Sequence, residues 1–171
     1  MAFLTRPEKK EKRPDKQEYY LSIAKQIAQR STCLKRKYGA IIVREDNIIS
    51  AGYIGSPRGT PNCVDLAKCA QDYNKKVGVD ACRGVHAELN AIINAARSGT
   101  SVLNAIMYIY GENSKDGKIV IGKPCRACRR AIVNAGIIEV MVPGERGIRK
   151  YKTEFWVKDL KKDPFADVHE K

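Results

Sequence analysis

Apolar positions along the chain change their period in a way that lays out the elements. From Lys16 to about Arg30, Tyr20, Ile23, Ala24, Ile27 and Ala28 recur at the spacing of one helical face, behind Asp15 as N-cap and Glu18 three residues on in a capping-box pattern. Gly39 to Val43 and Asn47 to Tyr53 are β-rich runs joined by Arg44-Glu45-Asp46, which predicts a hairpin. The pattern then breaks from Ile54 to Arg83, where Gly55, Pro57, Gly59 and Pro61 precede a polar stretch with three cysteines. An irregular loop of this length inside a domain needs something to tie it down. Leu89, Ile92, Ile93 and Ala96 restore helical spacing from His86 to about Arg97. Ala105 to Tyr110 reads as a strand and Gly111 to Gly117 as a turn, with Lys118 to Ile121 as a short return arm. A helix follows from Pro124 to about Ala135, ended by Gly136, then a strand from Ile137 to Val142 and a basic amphipathic helix near Tyr151 to Lys161.

The initial hairpin followed by strand–helix alternation predicts an α/β fold, a mixed sheet with helices on both faces. A length of 171 residues suits one domain with a real core. Met1 to Asp15 reads as a flexible basic arm (1–15), the body runs over 16–142, and 143–171 is a basic extension with one helix. No stretch approaches a membrane span, and the charged N-terminus lacks the apolar core of a signal peptide, so the expected location is the cytoplasm. Six cysteines there point to metal ligation before disulfides. The net charge of +13 favours phosphate-bearing partners without separating nucleotides from nucleic acid, and tail solvation accounts for much of it.

Candidate chemistry concentrates in His86-Ala87-Glu88 and Pro124-Cys125-Arg126-Ala127-Cys128. His86, Cys125 and Cys128 are three ligands of N,S,S type, a set that leaves a position on zinc for water, where a structural site would close with four protein ligands. Pro124 suits the first helical position, and the two cysteines then share one face at a helix N-terminus, which favours thiolates. Zinc lowers the pKa of a bound water, and Glu88, two residues from His86, is placed to carry the proton. Taken singly, each half also fits a buried histidine or a redox cysteine pair. In combination they match the His-x-Glu, Pro-Cys-x-x-Cys signature of zinc deaminases.

With Arg30-Ser31-Thr32-Cys33, Tyr38-Gly39-Ala40-Ile41-Ile42-Val43, Gly52-Tyr53-Ile54-Gly55-Ser56-Pro57 and His86-Ala87-Glu88-Leu89-Asn90-Ala91-Ile92, the chain resembles the deoxycytidylate (dCMP) deaminase family, nearest its microbial, late-competence-like branch. The resemblance spans about Tyr19 to Val142. It implies the three-layer α/β/α cytidine deaminase-like fold with a five-stranded mixed sheet. It implies hydrolysis of dCMP to dUMP and ammonia, with His86, Cys125 and Cys128 on catalytic zinc and Glu88 as proton shuttle. It also implies a homo-oligomer, a hexamer or a dimer, regulated by dCTP and dTTP. Tyr53, Gly55 and Arg97 match the positions associated with nucleotide binding. Ile54 stands where the family carries asparagine, which removes an amide able to contact a nucleotide. About ten residues, Gly111 to Val120, are inserted before the cysteine motif. Cys33, Cys63, Cys69 and Cys82 form the complement of a second, structural zinc, which the resemblance supports for Cys33 and Cys63; unpaired buried thiols are the other reading. Competing functions are a base deaminase acting on RNA or DNA and a non-catalytic zinc-stabilised nucleotide- or nucleic-acid-binding module.

Overall fold

The structure, a computed structural model, describes residues 13–73, 82–120 and 122–162. Helix α1 (Lys16–Ala28) leads into strands β1 (Arg36–Arg44) and β2 (Asn47–Tyr53), then two single helical turns, α2 (Cys63–Leu66) and α3 (Ala70–Tyr73). After these come α4 (Ala87–Arg97), β3 (Ile106–Asn113), α5 (Arg126–Asn134), β4 (Glu139–Gly144), β5 (Gly147–Lys152) and α6 (Thr153–Lys162). The sheet order is β2-β1-β3-β4-β5, with only β3 and β4 parallel, so the sheet is five-stranded and mixed.

Each strand sends alternate side chains to opposite faces, and the core divides accordingly. Ile41, Val43, Tyr108, Tyr110 and Met141 meet Tyr20, Leu21, Ala24 and Ala28 of α1. On the other face Ala40, Ile42, Met107, Ile109, Val140 and Val142 meet α4 and α5, with Trp156 of α6 in the same cluster. The expected three-layer arrangement is therefore present. The hairpin of β1 and β2 turns on Glu45 and Asp46, both at positive φ (50° and 60°), the two-residue turn whose twist matches the strands. Asp15 caps α1, accepting from the Gln17 N–H at 2.8 Å.

Several boundaries differ from the sequence reading. Strand β3 runs on through Gly111-Glu112-Asn113, assigned above to a turn, because these residues pair with Arg36, Lys37 and Tyr38 of a β1 that starts three residues early. Glu112 is buried there, accepting from Gln29 at 3.2 Å and from the Tyr110 hydroxyl at 3.0 Å, with Lys37 at 3.5 Å. The return arm shrinks to one bridge, Glu112 with Ile119. Strand β5 (Gly147-Ile-Arg-Lys-Tyr-Lys) reads in sequence as a charged extension; its pairing with β4 makes it the fifth strand. The N-terminal arm up to residue 12 and residues 163–171 lie outside the described residues.

Candidate active site

Helix α4 is held against the sheet by its small face and by side chains that clamp it to β2. Ala87, Ala91 and Ala95 are fully buried. Asn90 Nδ2 donates to the Tyr53 carbonyl (2.7 Å) and Asn94 Nδ2 to that of Ala51 (2.7 Å), while Ser50 Oγ donates to the Ala91 carbonyl (2.6 Å). A periodicity argument sees these asparagines only as helix-surface positions; their role needs the edge strand beside them. The clamp fixes the start of the helix, where His86 is the N-cap in an extended conformation and Glu88 lies in the first turn.

Helix α5 meets it from the crossover between β3 and β4. Cys125 is its N-cap and Cys128 lies in its first turn, so Pro124 sits one residue outside the cap and not at the first helical position. Proline still suits the place, where an extended residue turns the chain into the helix. His86 Nδ1 lies 3.4 Å from both the Cys125 and the Cys128 sulfur. The three ligand atoms all lie within 4.8 Å of one another, and among the described residues no fourth His, Cys, Asp or Glu joins the group. Tetrahedral zinc with bonds of about 2.0 and 2.3 Å separates nitrogen from sulfur by about 3.5 Å, so the donor set fits the ion and leaves it one coordination position.

The electrostatics match. Hydrogen bonds from Cys128 and His86 pull the Cys125 thiol down to about 3, against the burial that opposes ionisation. The Cys128 thiol is pushed up by donating to Cys125 and by burial, and His86 is raised by its bond to Cys125 and by the Glu88 charge. Zinc takes both sulfurs as thiolates, so its binding would release the proton held by Cys128. Glu88, 6 % exposed, has its pKa raised by burial, which makes it a carboxyl able to hold and release a proton.

His86, Glu88 and Cys125 line a cavity of about 690 Å³. Gly55 lines it too, as do all four remaining cysteines. Cys33, Cys63, Cys69 and Cys82 share one region: burial raises the Cys63 thiol, and the charges of the other three raise it further. No three of them, however, come within ligand distance of one another among the described residues. Ile54 is buried in the cavity wall against Gly84. Tyr53 and Arg97 are not brought to the cavity: Tyr53 is exposed at the end of β2, and Arg97 is exposed in the last turn of α4. Lys35, Arg36 and Lys123 line the cavity without having stood out in the sequence, and Tyr38, which stood out only within a family segment and not as a site residue, lines it too. The register between β1 and β3 brings Arg36 and Tyr38 there, and loop placement brings Lys35 and Lys123.

Residues 14–143 match the family described as "Cytidine and deoxycytidylate deaminase zinc-binding region". The chain is 34% identical over 140 residues to the deoxycytidylate deaminase of Mycobacterium phage D29, covering 78% of this chain and 98% of that one. It is 31% identical over 150 residues to ComE operon protein 2 of Bacillus subtilis, covering 87% of this chain and 62% of that protein. Among solved structures it is similar to the dCMP deaminase of cyanophage S-TIM5 in complex with dCMP and dUMP, with a TM-score of 0.56, 26% identity and coverage of 76% and 82%. The zinc triad, the buried carboxylate and the mixed sheet thus have the relatives their arrangement calls for, and the chain belongs to the zinc-dependent cytidine and deoxycytidylate deaminase family.

Proposed function

We propose that the protein hydrolyses the 4-amino group of dCMP to give dUMP and ammonia. The observation that carries this is a buried Glu88 beside a three-ligand zinc site, in a cavity whose other charged lining groups, among the described residues, are all cationic apart from thiols: Lys35, Arg36, Arg83 and Lys123. Such a cavity is of ligand size and suits an anionic mononucleotide.

His86, Cys125 and Cys128 would hold the zinc, which would supply a Lewis acid to activate water near neutral pH. Glu88 takes a proton from that water and delivers it to ring nitrogen N3 as C4 is attacked. Glu88 then relays the second proton to the exocyclic nitrogen, so that the C4–N bond breaks with ammonia as the leaving group and a C4 carbonyl remains. Burial suits Glu88 to both halves, because it raises the carboxyl's pKa from the ordinary glutamate value toward that of a group that can both take and return a proton.

The same proposal has finer parts. Cys33, Cys63, Cys69 and Cys82, which line one cavity where the other three act on the Cys63 thiol, would have to draw closer together to hold a second zinc that ties down the segment between β2 and α4. The protein assembles as a homo-oligomer through surfaces that include Ile93, an exposed apolar residue on α4. The exposed Tyr53 and Arg97, outside the cavity lining, are available to regulators such as dCTP and dTTP. Thiol ligands and free cysteines suit the cytoplasm, and no described helix is long and apolar enough to cross a membrane.

The deciding experiment is ammonia release by zinc-loaded protein from dCMP, CMP, deoxycytidine, cytidine, dCTP and cytosine- or adenosine-containing oligonucleotides. A clear preference for dCMP is expected. Turnover of oligonucleotides alone would move the protein to polynucleotide editing, and silence on every substrate would leave a binding module.

A further inference from the structure

Strands β1 and β3 place Tyr38 directly opposite Gly111. A Cβ on Gly111 would fall on the Tyr38 ring, on Cε1 and Cδ1 and 2.9 Å from Cζ, so the ring lies across the glycine and fills the place of its absent side chain. The Tyr38 backbone is fixed on both sides by Ser31, whose hydroxyl accepts from the Tyr38 N–H (3.0 Å) and donates to the Tyr38 carbonyl (3.1 Å). Tyr38 and Arg36 both line the cavity that holds Glu88 and Cys125, and the charges of those two act on the Tyr38 hydroxyl. The Arg36 charge acts on the same hydroxyl. The phenol carries an O–H that can donate to a ligand. Burial raises the Tyr38 pKa, so the proton stays on at neutral pH.

The other cavity cations are engaged. Lys35 is paired with Asp72 at 2.5 Å, Arg83 donates to the Pro61 carbonyl at 3.3 Å, and Lys123 has contacts of its own. Among the described residues no carboxylate pairs with Arg36, and the lining offers no acid but Glu88. Arginine is also the residue that best matches a phosphate, with a planar fork of donors.

We propose that Arg36 and Tyr38 form the subsite for the phosphate monoester of the substrate, with Arg36 as the cationic fork and the Tyr38 hydroxyl as a second donor, held in place by the ring seated on Gly111. This rests on the nucleotide reading above and extends it: these two residues set the preference for a nucleotide over its nucleoside.

The test compares dCMP with deoxycytidine, which differ only in the phosphate, using zinc-loaded full-length protein. Arg36→Ala should lower the ratio of kcat/KM for dCMP to that for deoxycytidine by about ten- to a hundred-fold, chiefly through KM, as expected for a lost hydrogen bond to a charged group. Tyr38→Phe should lower it by less, and Arg36→Lys should restore part of it. Binding of dUMP against deoxyuridine, measured by calorimetry, gives the same comparison without turnover. Equal losses on phosphorylated and unphosphorylated ligands, or no loss, would overturn the subsite. So would a wild-type protein that deaminates dCMP and deoxycytidine equally well. A wild-type protein inactive on both would end the nucleotide reading itself, and the subsite with it.

Discussion

Gly52 touches no metal ligand, yet its replacement by alanine should loosen the zinc site. A Cβ built on Gly52 meets the backbone of α4: the Ala91 nitrogen, the Ala87 carbonyl oxygen at 2.6 Å and the Asn90 carbonyl carbon at 2.7 Å. Ordinary contact begins near 3.4 Å, so the nearest atoms of α4 must retreat by about 1 Å, and backbone cannot rotate away as a side chain can. Overpacking of this kind costs about 1–3 kcal/mol, a fall in melting temperature of several degrees for a domain of this size. The retreat carries His86 and Glu88 away from Cys125 and Cys128, which belong to a different helix, and ligand geometry tolerates little of it. Zinc affinity should fall about ten- to a hundred-fold, the usual effect of disturbing the support of a ligand. Competition with a chromophoric chelator measures that affinity, and thermal melting with and without zinc measures stability. Gly39→Ala is the control, since its Cβ collides with the Ala24 oxygen and Ala28 backbone of α1, on the face of the sheet away from the metal. Gly39→Ala should lose stability with a much smaller loss of zinc affinity. If Gly52→Ala kept wild-type zinc affinity, or if both variants lost it equally, the idea that close packing of α4 sets the ligand geometry would fail.

Other substitutions probe the remaining assignments. Glu88→Gln should retain zinc, by elemental analysis, while ammonia release drops about 10²- to 10⁴-fold; normal turnover would remove Glu88 from proton transfer. Cys33→Ser or Cys69→Ser should lower the zinc stoichiometry and melting temperature ahead of the catalytic rate, and two unaltered measurements would argue against a second ion. For Glu112, burial pushes the pKa up, but hydrogen bonds from Gln29, Tyr110 and Lys37 outweigh it and hold the carboxyl below its usual range. Its contribution is therefore present above the ordinary glutamate value and lost as pH falls through the depressed one. Urea midpoints should show wild type more stable than Glu112→Gln at pH 7, with the gap closing on acidification; a constant gap would refute the linkage.

The parts of the protein legible in sequence were those written in local periodicity or in chemically rare combinations. Tyr20 to Ala28, the Glu45-Asp46 turn, and the pairing of His86-x-Glu88 with Cys125-x-x-Cys128 all carry their signal within a few residues. The extension of β3 was hidden because Gly111-Glu112-Asn113 has the composition of a turn, and only pairing with Arg36–Tyr38 and burial of Glu112 make it strand. Strand β5 was hidden because an edge strand with one wet face needs few apolar residues; Arg149, Lys150 and Lys152 are exposed. The site was legible as a list of ligands but not as a cavity. Arg36, Tyr38 and Lys123 enter it through strand register and loop placement, which depend on contacts far apart in the chain.

The metal ligands also lie far apart in the chain: His86 is 39 residues from Cys125 and 42 from Cys128. An ion joining them closes a loop that contains all of β3, the central strand of the sheet. In chain-entropy terms, a cross-link over a loop of this size is worth about 4 kcal/mol. Zinc is then a rivet as well as a reagent, whose removal frees the middle of the sheet to open. A cell short of zinc would lose this protein to proteolysis as well as to idleness, and the supply of the metal would set the lifetime of the chain.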